Sequence, residues 1–258
     1  MTRYIRYRSR SGVAYGAVSY GILDGDTVRE ISGGLLDGRA ETGITHKLSS
    51  VQLLCPCQPG KIMAVGLNYR SHLGSRPPPA HPEMFYKPVT ALQHPEGPIV
   101  IPPGAEDVHS EGELVVMIGK LVKNASKDEA RDAIFGVTCG NDVSERDWQR
   151  GDLQWFRAKA SDTFGPLGPV VVTGLNYDDL LLQTRLNGET VQSQRTSDLI
   201  FPVARIVSYV SHYVTLLPGD IIYTGTPGTT RPMKPGDTVE VELEGVGVLR
   251  NRVSQAKN

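Results

Sequence analysis

Cysteine is scarce in this chain: there are three in 258 residues, and Cys55-Pro56-Cys57 has neither a second C-x-x-C nor a histidine pair at zinc-finger spacing. An odd number cannot all pair, so neither a disulfide framework nor a structural zinc site is supported, and reduced, packed thiols are expected. No run of about 18 apolar residues occurs, which leaves no helical membrane span to propose. The opening stretch MTRYIRYRSRSG alternates charged and aromatic residues and lacks the apolar core of a signal peptide, so a cytoplasmic protein with no membrane partner is expected. An excess of one charge is also missing. Lys and Arg number 27 against 28 Asp and Glu, a formal net charge of -1, and no nucleic-acid partner is implied.

Several common catalytic motifs are missing too. Gly112 and the Gly119-Lys120 pair are separated by six residues where a phosphate loop needs four, and Leu121 stands where Ser or Thr should be. No G-x-G-x-x-G follows a strand, and there is no H-E-x-x-H and no G-x-S-x-G. Dinucleotide, catalytic-zinc and α/β-hydrolase chemistry are therefore disfavoured together.

What is present is an ordinary globular composition, 39% hydrophobic and 21% charged, long enough for one large domain with a small satellite. Residues 17–23 and 27–31 are β-prone runs around Asp24-Gly25-Asp26, which predicts a hairpin. Cys55-Pro56-Cys57-Gln58-Pro59-Gly60 breaks regular structure, which places a boundary between a small β-rich N-terminal domain, 1–58, and a main domain, 59–258. The run Arg76-Pro77-Pro78-Pro79-Ala80-His81-Pro82 is predicted to be an exposed loop, placed to act as a lid, because each proline lacks an amide donor and restricts its predecessor. Residues 113–119 are apolar on both alternating faces, the pattern of a central strand. Ser126 and Glu129 make a capping box ahead of 130–134, and 205–213 is a second candidate helix. Pro218-Gly219-Asp220 and Pro235-Gly236-Asp237 suit type II turns leading into strands at 221–223 and 238–243. Strands do not alternate regularly with long helices, so the expected class is α+β and β-rich rather than doubly wound.

The acidic cluster Glu106, Asp107, Glu111 and Glu113 is the strongest chemical signal. At i, i+2 on a strand, Glu111 and Glu113 share a face, roughly 6 to 7 Å apart at their origins. Two carboxylates entering a low-dielectric region are tolerable only when protonated, paired with cations or bound to a metal. Asp142 follows the apolar run 134–137, which could lie beside the first strand, and three carboxylates without Cys or paired His suit magnesium, manganese or calcium. Spacing alone leaves two alternatives, a solvated strand end and a glycosidase-type acid and base pair. His72, just before the proline loop, is either a surface histidine or a general base. His109 reads as a packing or supporting residue. Lys87, Lys159 and Arg146 could face an anionic substrate, although lone basic residues are usually solvated.

Gly66-Leu67-Asn68-Tyr69 with His72, Phe85-Tyr86-Lys87-Pro88, His109-Ser110-Glu111-Gly112-Glu113-Leu114 and Asn141-Asp142-Val143-Ser144-Glu145-Arg146-Asp147 together resemble the fumarylacetoacetate hydrolase family. The resemblance continues through Arg157-Ala158-Lys159-Ala160, Leu186-Asn187-Gly188-Glu189 and the stretch from Pro218 to Pro227, covering residues 60 to 253 in the family's block order, and residues 1 to 58 resemble its small bacterial N-terminal domain. It implies a mixed β-roll or β-sandwich catalytic domain, a homodimer, and one Mg2+ or Mn2+ held by Glu111, Glu113 and Asp142. It further implies that Arg146, Gln149 and Thr226 bind a small anionic 2-oxo acid, with His72 and Lys159 catalytic. The implied chemistry is metal stabilisation of a pyruvate enolate. Hydrolytic carbon-carbon cleavage of an acylpyruvate is the first expectation. Oxaloacetate decarboxylation or isomerisation of a 2-hydroxy-dienedioate on the same site is the alternative, and an inactive metal-binding scaffold the second. One position departs: relatives that cleave acylpyruvates carry a glutamate three residues after the lid histidine, where this chain has Ser75, leaving Glu83 or Glu106 as substitutes if the loop folds inward. The three consecutive prolines in the loop would also restrict lid closure.

Overall fold

The computed structural model describes residues 1–11 and 14–256. Its centre is the strand Gly112–Ile118, in which every residue is buried. Antiparallel neighbours flank it, Ile134–Asn141 on one side and Ile221–Tyr223 on the other. Alternation explains the double burial. Leu114, Val116 and Ile118 enter one core, while Val115 and Met117 enter a second core with Ile62, Ala64, Val171 and Tyr223. The chain is α+β and rich in strands, as the composition and turn pattern predict.

Outward from this centre, Ile221–Tyr223 pairs in parallel with Ile62–Gly66, which pairs antiparallel with Glu83–Lys87. On the far side Ile134–Asn141 pairs with Gly165–Thr173. That strand receives Thr2–Ser11 through Thr2↔Thr173 and Tyr4↔Val171, so the first strand of the N-terminal segment extends the large sheet. Ala14–Asp24 and Thr27–Ile31 follow as the expected hairpin, with Asp24 opposite Thr27 and Gly25 in the left-handed region that a tight turn needs. A second sheet runs in the order Glu189–Arg195, Leu181–Leu186, Thr238–Leu243, Gly247–Gln255, Pro98–Ile101. Leu182, Val241, Leu243 and Leu249 of this sheet join Leu114 and Val116 of the first in the largest core cluster.

The capping box is present, with Ser126 accepting from the Glu129 amide and Glu129 reaching back to the Ser126 amide. The helix it opens, Lys127–Asp132, stops before Ile134 because that residue already begins a strand, earlier than the predicted end. The second helix starts two residues before its predicted onset, at Val203, directly after Pro202, and buries Val203, Ile206, Val207 and Val210 on one face. Gly219 and Gly236 have φ of 93° and 96°, as type II turns require. All three cysteines are free and buried. Among the described residues, no helix is long and apolar enough to cross a membrane.

Candidate active site

Where the central strand meets its neighbour, the antiparallel register decides what comes together. Gly112 lies opposite Asn141 and Glu113 opposite Gly140, so Glu111 and Asp142 are carried to the same end. The Asp142 amide donates to the Glu111 carbonyl at 2.9 Å, and the Glu111 amide to the Asn141 side-chain oxygen at 2.9 Å, prolonging the ladder beyond the strand. Glu111 thus stands one residue before the strand rather than opening it. Gly140 allows the close approach: a Cβ there would lie 2.4 Å from Val115 Cγ2 and 2.5 Å from the Tyr223 ring. Glu111, Glu113 and Asp142 are 4%, 1% and 1% exposed. Each offers a carboxylate oxygen within 4.8 Å of the others.

Cations answer most of this buried charge. Lys159, at the end of the short helix Phe156–Ala160, donates to Glu111 Oε2 and Asp142 Oδ2, each at 2.6 Å. Lys87 donates to Asp142 Oδ1 at 2.6 Å and to the Lys159 carbonyl. Arg146 lies 2.6 Å from Glu111 Oε1. Glu145 caps the helix Arg146–Gly151 through the Trp148 amide and so presents Arg146 and Gln149 one turn apart, hydrogen-bonded at 2.8 Å. Behind them Thr230 accepts from Arg146 and contacts His109, whose other nitrogen pairs with Asp107 at 2.9 Å, the supporting place expected of His109.

Glu113 differs from its two neighbours. Its carboxylate accepts from the Gly225 amide at 2.7 Å, and among the described residues no lysine or arginine forms an ion pair with it. Gly225 has φ of 108° and a Cβ there would meet Asn68 Cβ at 2.6 Å, so glycine is needed where this amide points inward. Burial, together with the charges of Asp142 and Glu111, pushes the Glu113 carboxyl well above the usual carboxylate range. For Glu111, burial acts in the same direction but is outweighed by Lys159, Arg146 and His72, which hold it well below that range. Burial pulls Lys87 down despite Asp142, whereas Asp142 and Glu111 overcome burial at Lys159 and raise it. A buried all-oxygen triad with one carboxylate lacking a cation fits a hard divalent ion. Glu111, Glu113 and Asp142 would hold it.

The triad forms the floor of a cavity of about 700 Å³, whose lining includes His72, Ser75, Arg146, Gln149, Lys159 and Thr226. The structure therefore brings Glu111, Glu113, Asp142, His72, Arg146, Gln149, Lys159 and Thr226 to one space, while Lys87, Asp107 and His109 lie outside its lining. Thr226 is fixed by donating to the Gly112 carbonyl and accepting from Gln192, both at 2.9 Å. His72 Nδ1 lies 2.6 Å from the Gly228 carbonyl, and its Nε2 is 3.8 Å from Glu111 Oε1. A carbonyl can only accept, so Nδ1 donates to it, and Nε2 is the ring nitrogen directed toward Glu111 and the floor. Neither proposed substitute for the missing glutamate lines the cavity. Glu106 is exposed, and the exposed Glu83 lies 3.6 Å from His81. The proline loop is largely exposed, as predicted.

From the sequence Lys87 is a basic residue that could face an anionic substrate or lie solvated at the surface, with no expectation of a structural partner. It is 3% exposed at the heart of the network, and the signal for it was its alternation with Phe85 on a short strand. Trp155, Arg76 and Arg150 also line the cavity. Trp155 sits in the left-handed region at φ of 57° and meets the Phe85 ring edge-on at 5.4 Å, a placement with no local sequence signature.

Residues 61–254 match the family model for the fumarylacetoacetate (FAA) hydrolase C-terminal region, and residues 2–56 match an Rv2993c-like N-terminal model. The chain belongs to the fumarylacetoacetate hydrolase family. Human oxaloacetate tautomerase FAHD2A, mitochondrial, is 40% identical over 220 residues, 80% of this chain and 70% of that protein. The crystal structure of a 2-hydroxyhepta-2,4-diene-1,7-dioate isomerase from Mycobacterium marinum superposes with a TM-score of 0.91 at 41% identity, covering 100% of both chains. A maleylpyruvate hydrolase from Sphingobium sp. SYK-6, solved with manganese(II) and pyruvate, gives a TM-score of 0.81 at 28% identity, covering 99% of this chain and 100% of that one. Family members thus include tautomerases, isomerases and hydrolases.

Proposed function

We propose that this protein is a divalent-metal-dependent enzyme that moves a proton at the carbon beside the keto group of a small 2-oxo acid, a tautomerase or isomerase. The observation that carries this is the placement of His72. Its Nδ1 is committed to the Gly228 carbonyl, which leaves Nε2 as the nitrogen that faces the cavity, and Ser75, in place of the glutamate that the family resemblance leads one to expect, lines the same space. One imidazole suffices to take a proton from carbon and return it elsewhere on the same substrate. Activating water is a harder task for a lone histidine whose nearest carboxylate, Glu111, also belongs to the metal triad.

The bound ion, Mg2+ or Mn2+ held by Glu111, Glu113 and Asp142, would supply a Lewis acid for the negative charge that develops on the substrate's oxygen. The protein's own groups do the rest. Lys159 spends two of its three N–H bonds on Glu111 and Asp142 and has the third for a substrate carboxylate. Arg146, steadied by Gln149 and Thr230, adds a planar donor set suited to a carboxylate. Leu73, Phe85 and Trp155 wall the cavity with apolar surface against which the substrate's carbon chain can lie.

Carbon-carbon hydrolysis, the first expectation from the sequence, becomes the second reading. The cavity of about 700 Å³ supports it by leaving room for an acyl tail and a water. A panel of enol oxaloacetate, acetylpyruvate and fumarylpyruvate, each with magnesium and with a chelator, separates the outcomes. Magnesium-dependent ketonisation without pyruvate release is the expected result. Pyruvate from an acylpyruvate would establish the hydrolase, pyruvate from oxaloacetate alone the decarboxylase, and no change in any substrate would leave a 2-hydroxy-dienedioate isomerase or a metal-binding scaffold. The homodimer implied by the family resemblance is tested separately by light scattering.

A further inference from the structure

We infer that Gln192 is a positioning residue of the site: from the second sheet it holds the Thr226 hydroxyl in register with the metal-binding strand and so sets the affinity for the substrate. This rests on the 2-oxo acid reading above. The strand Glu189–Arg195 is exposed or half-buried along its length except at Gln192, which is 4% exposed. A buried amide is tolerated only when its donor and its acceptor are both matched. Here the matches all lie at the site. Gln192 Oε1 accepts from the Gly112 amide at 3.2 Å, and Nε2 donates to Thr226 Oγ1 at 2.9 Å and to the Pro227 carbonyl.

The partners decide which way the Gln192 amide is turned, because an N–H can only donate and a carbonyl can only accept. Gly112 stands between Glu111 and Glu113, and its carbonyl accepts from Thr226 Oγ1, so Gln192, Thr226 and Gly112 close a ring of hydrogen bonds. Glycine is needed there, since a Cβ would lie 2.0 Å from Thr184 Oγ1. The Thr226 hydroxyl gives its proton to Gly112 and one lone pair to Gln192, which fixes its direction at the cavity wall. The same strand grips the same loop a second time. The Gly228 amide donates to Ser71 Oγ at 3.0 Å, and Ser71 donates to Gln194 Oε1 at 2.5 Å, while the Gly228 carbonyl accepts from His72. Gln192 and Gln194 are two apart and project from one side of the strand. An aliphatic side chain at 192 would fill the space without giving Thr226 a direction. The glutamine instead ties Thr226 to the carboxylate strand at a set spacing, which a ligand held by both the ion and Thr226 must match.

The test titrates pyruvate calorimetrically into magnesium-loaded wild type, Gln192→Met, Thr226→Val and the double variant. Methionine keeps the length of glutamine and valine the shape of threonine, and neither can make the hydrogen bonds. Gln192→Met is expected to weaken pyruvate about tenfold, the size of one misplaced hydrogen bond, while Mn2+ affinity changes by less than about threefold. In the Thr226→Val background the same change should add less than about twofold, because both substitutions remove one shared contact. In ketonisation of enol oxaloacetate the loss should fall on KM, with kcat nearly kept. Gln192→Asn, one methylene too short to span Gly112 and Thr226, should show the same loss, and it serves in place of Gln192→Met if circular dichroism shows that variant unfolded. Unchanged pyruvate affinity, a full effect of Gln192→Met on top of Thr226→Val, or loss of Mn2+ binding along with pyruvate overturns the positioning role and leaves the 2-oxo acid reading intact. Failure of wild type to bind pyruvate overturns that reading, and this inference with it.

Discussion

Lys87 beneath the cavity and Lys159 on its floor are each 3% exposed and tied to partners from several elements, whereas at the rim Arg76 and Arg150 are exposed, the first forming no ion pair among the described residues and the second in a surface pair. Burial makes the difference. A charge inside the sheet must be matched by hydrogen bonds and opposite charge or it is not tolerated, so the floor forms one interlocked set in which moving one group disturbs the rest. A charge at the rim is matched by water, so it can be exchanged at little cost. The floor is therefore constrained as a unit, whereas the rim is free to change.

The largest effect should come from breaking the floor at its ligands. Glu113→Ala is expected to lower turnover by about 10³-fold or more, since the ion's share of transition-state stabilisation is lost; full activity in the ketonisation assay would sink the site assignment. Lys87→Met removes a partner from Asp142 while keeping the side chain's bulk. It should cost about 3 to 5 kcal/mol in denaturant unfolding of the metal-free protein, because a buried carboxylate is left short of its counter-charge. A cost below about 1 kcal/mol would mean that Lys159 alone satisfies the site.

Acidity sharpens the contrast further. The Glu113 carboxyl is raised above the ordinary glutamate value of 4.5 in the folded state, so the folded metal-free protein binds a proton more tightly than the unfolded chain. That contribution is fully present below pH 4.5 and is lost as pH rises through the raised folded value. Relative to Glu113→Gln, metal-free wild type should therefore lose stability at up to about 1.4 kcal/mol per pH unit above 4.5, and a saturating divalent ion should flatten the slope. Parallel stability curves for the two proteins would contradict the buried, uncompensated state of Glu113. The smallest effect belongs to the rim, where Arg150→Ala should change stability by less than about 1 kcal/mol.

Much of the floor was legible in the sequence because strands translate spacing into direction. Glu111 and Glu113, two apart ahead of an apolar run, had to share a face, and Asp142 after the next run had to come near if the two strands paired. The turn at Pro218-Gly219, the capping box at Ser126 and the hairpin at Gly25 were legible for the same reason, each being a local geometry that few residues satisfy. Lys87 was not, because a lysine in a short strand looks solvated until the sheet that buries it is known. Trp155 and Arg76 depend on where loops from distant parts of the chain converge, and no periodicity carries that information. The joining of the N-terminal strand to the main sheet through Thr2↔Thr173 was equally hidden, since pairing across about 170 residues leaves no trace in either segment alone.

The central claim is that Glu111, Glu113 and Asp142 form a single divalent-cation site. Its most direct test is a titration with Mn2+ read by electron paramagnetic resonance of the free ion, on wild type and on Glu113→Gln, which keeps the side chain's shape. One ion bound per chain in wild type, displaced by magnesium and weakened by about 100-fold or more in the variant, is the expected result. No stoichiometric binding in wild type, or equal affinity in both proteins, would contradict it.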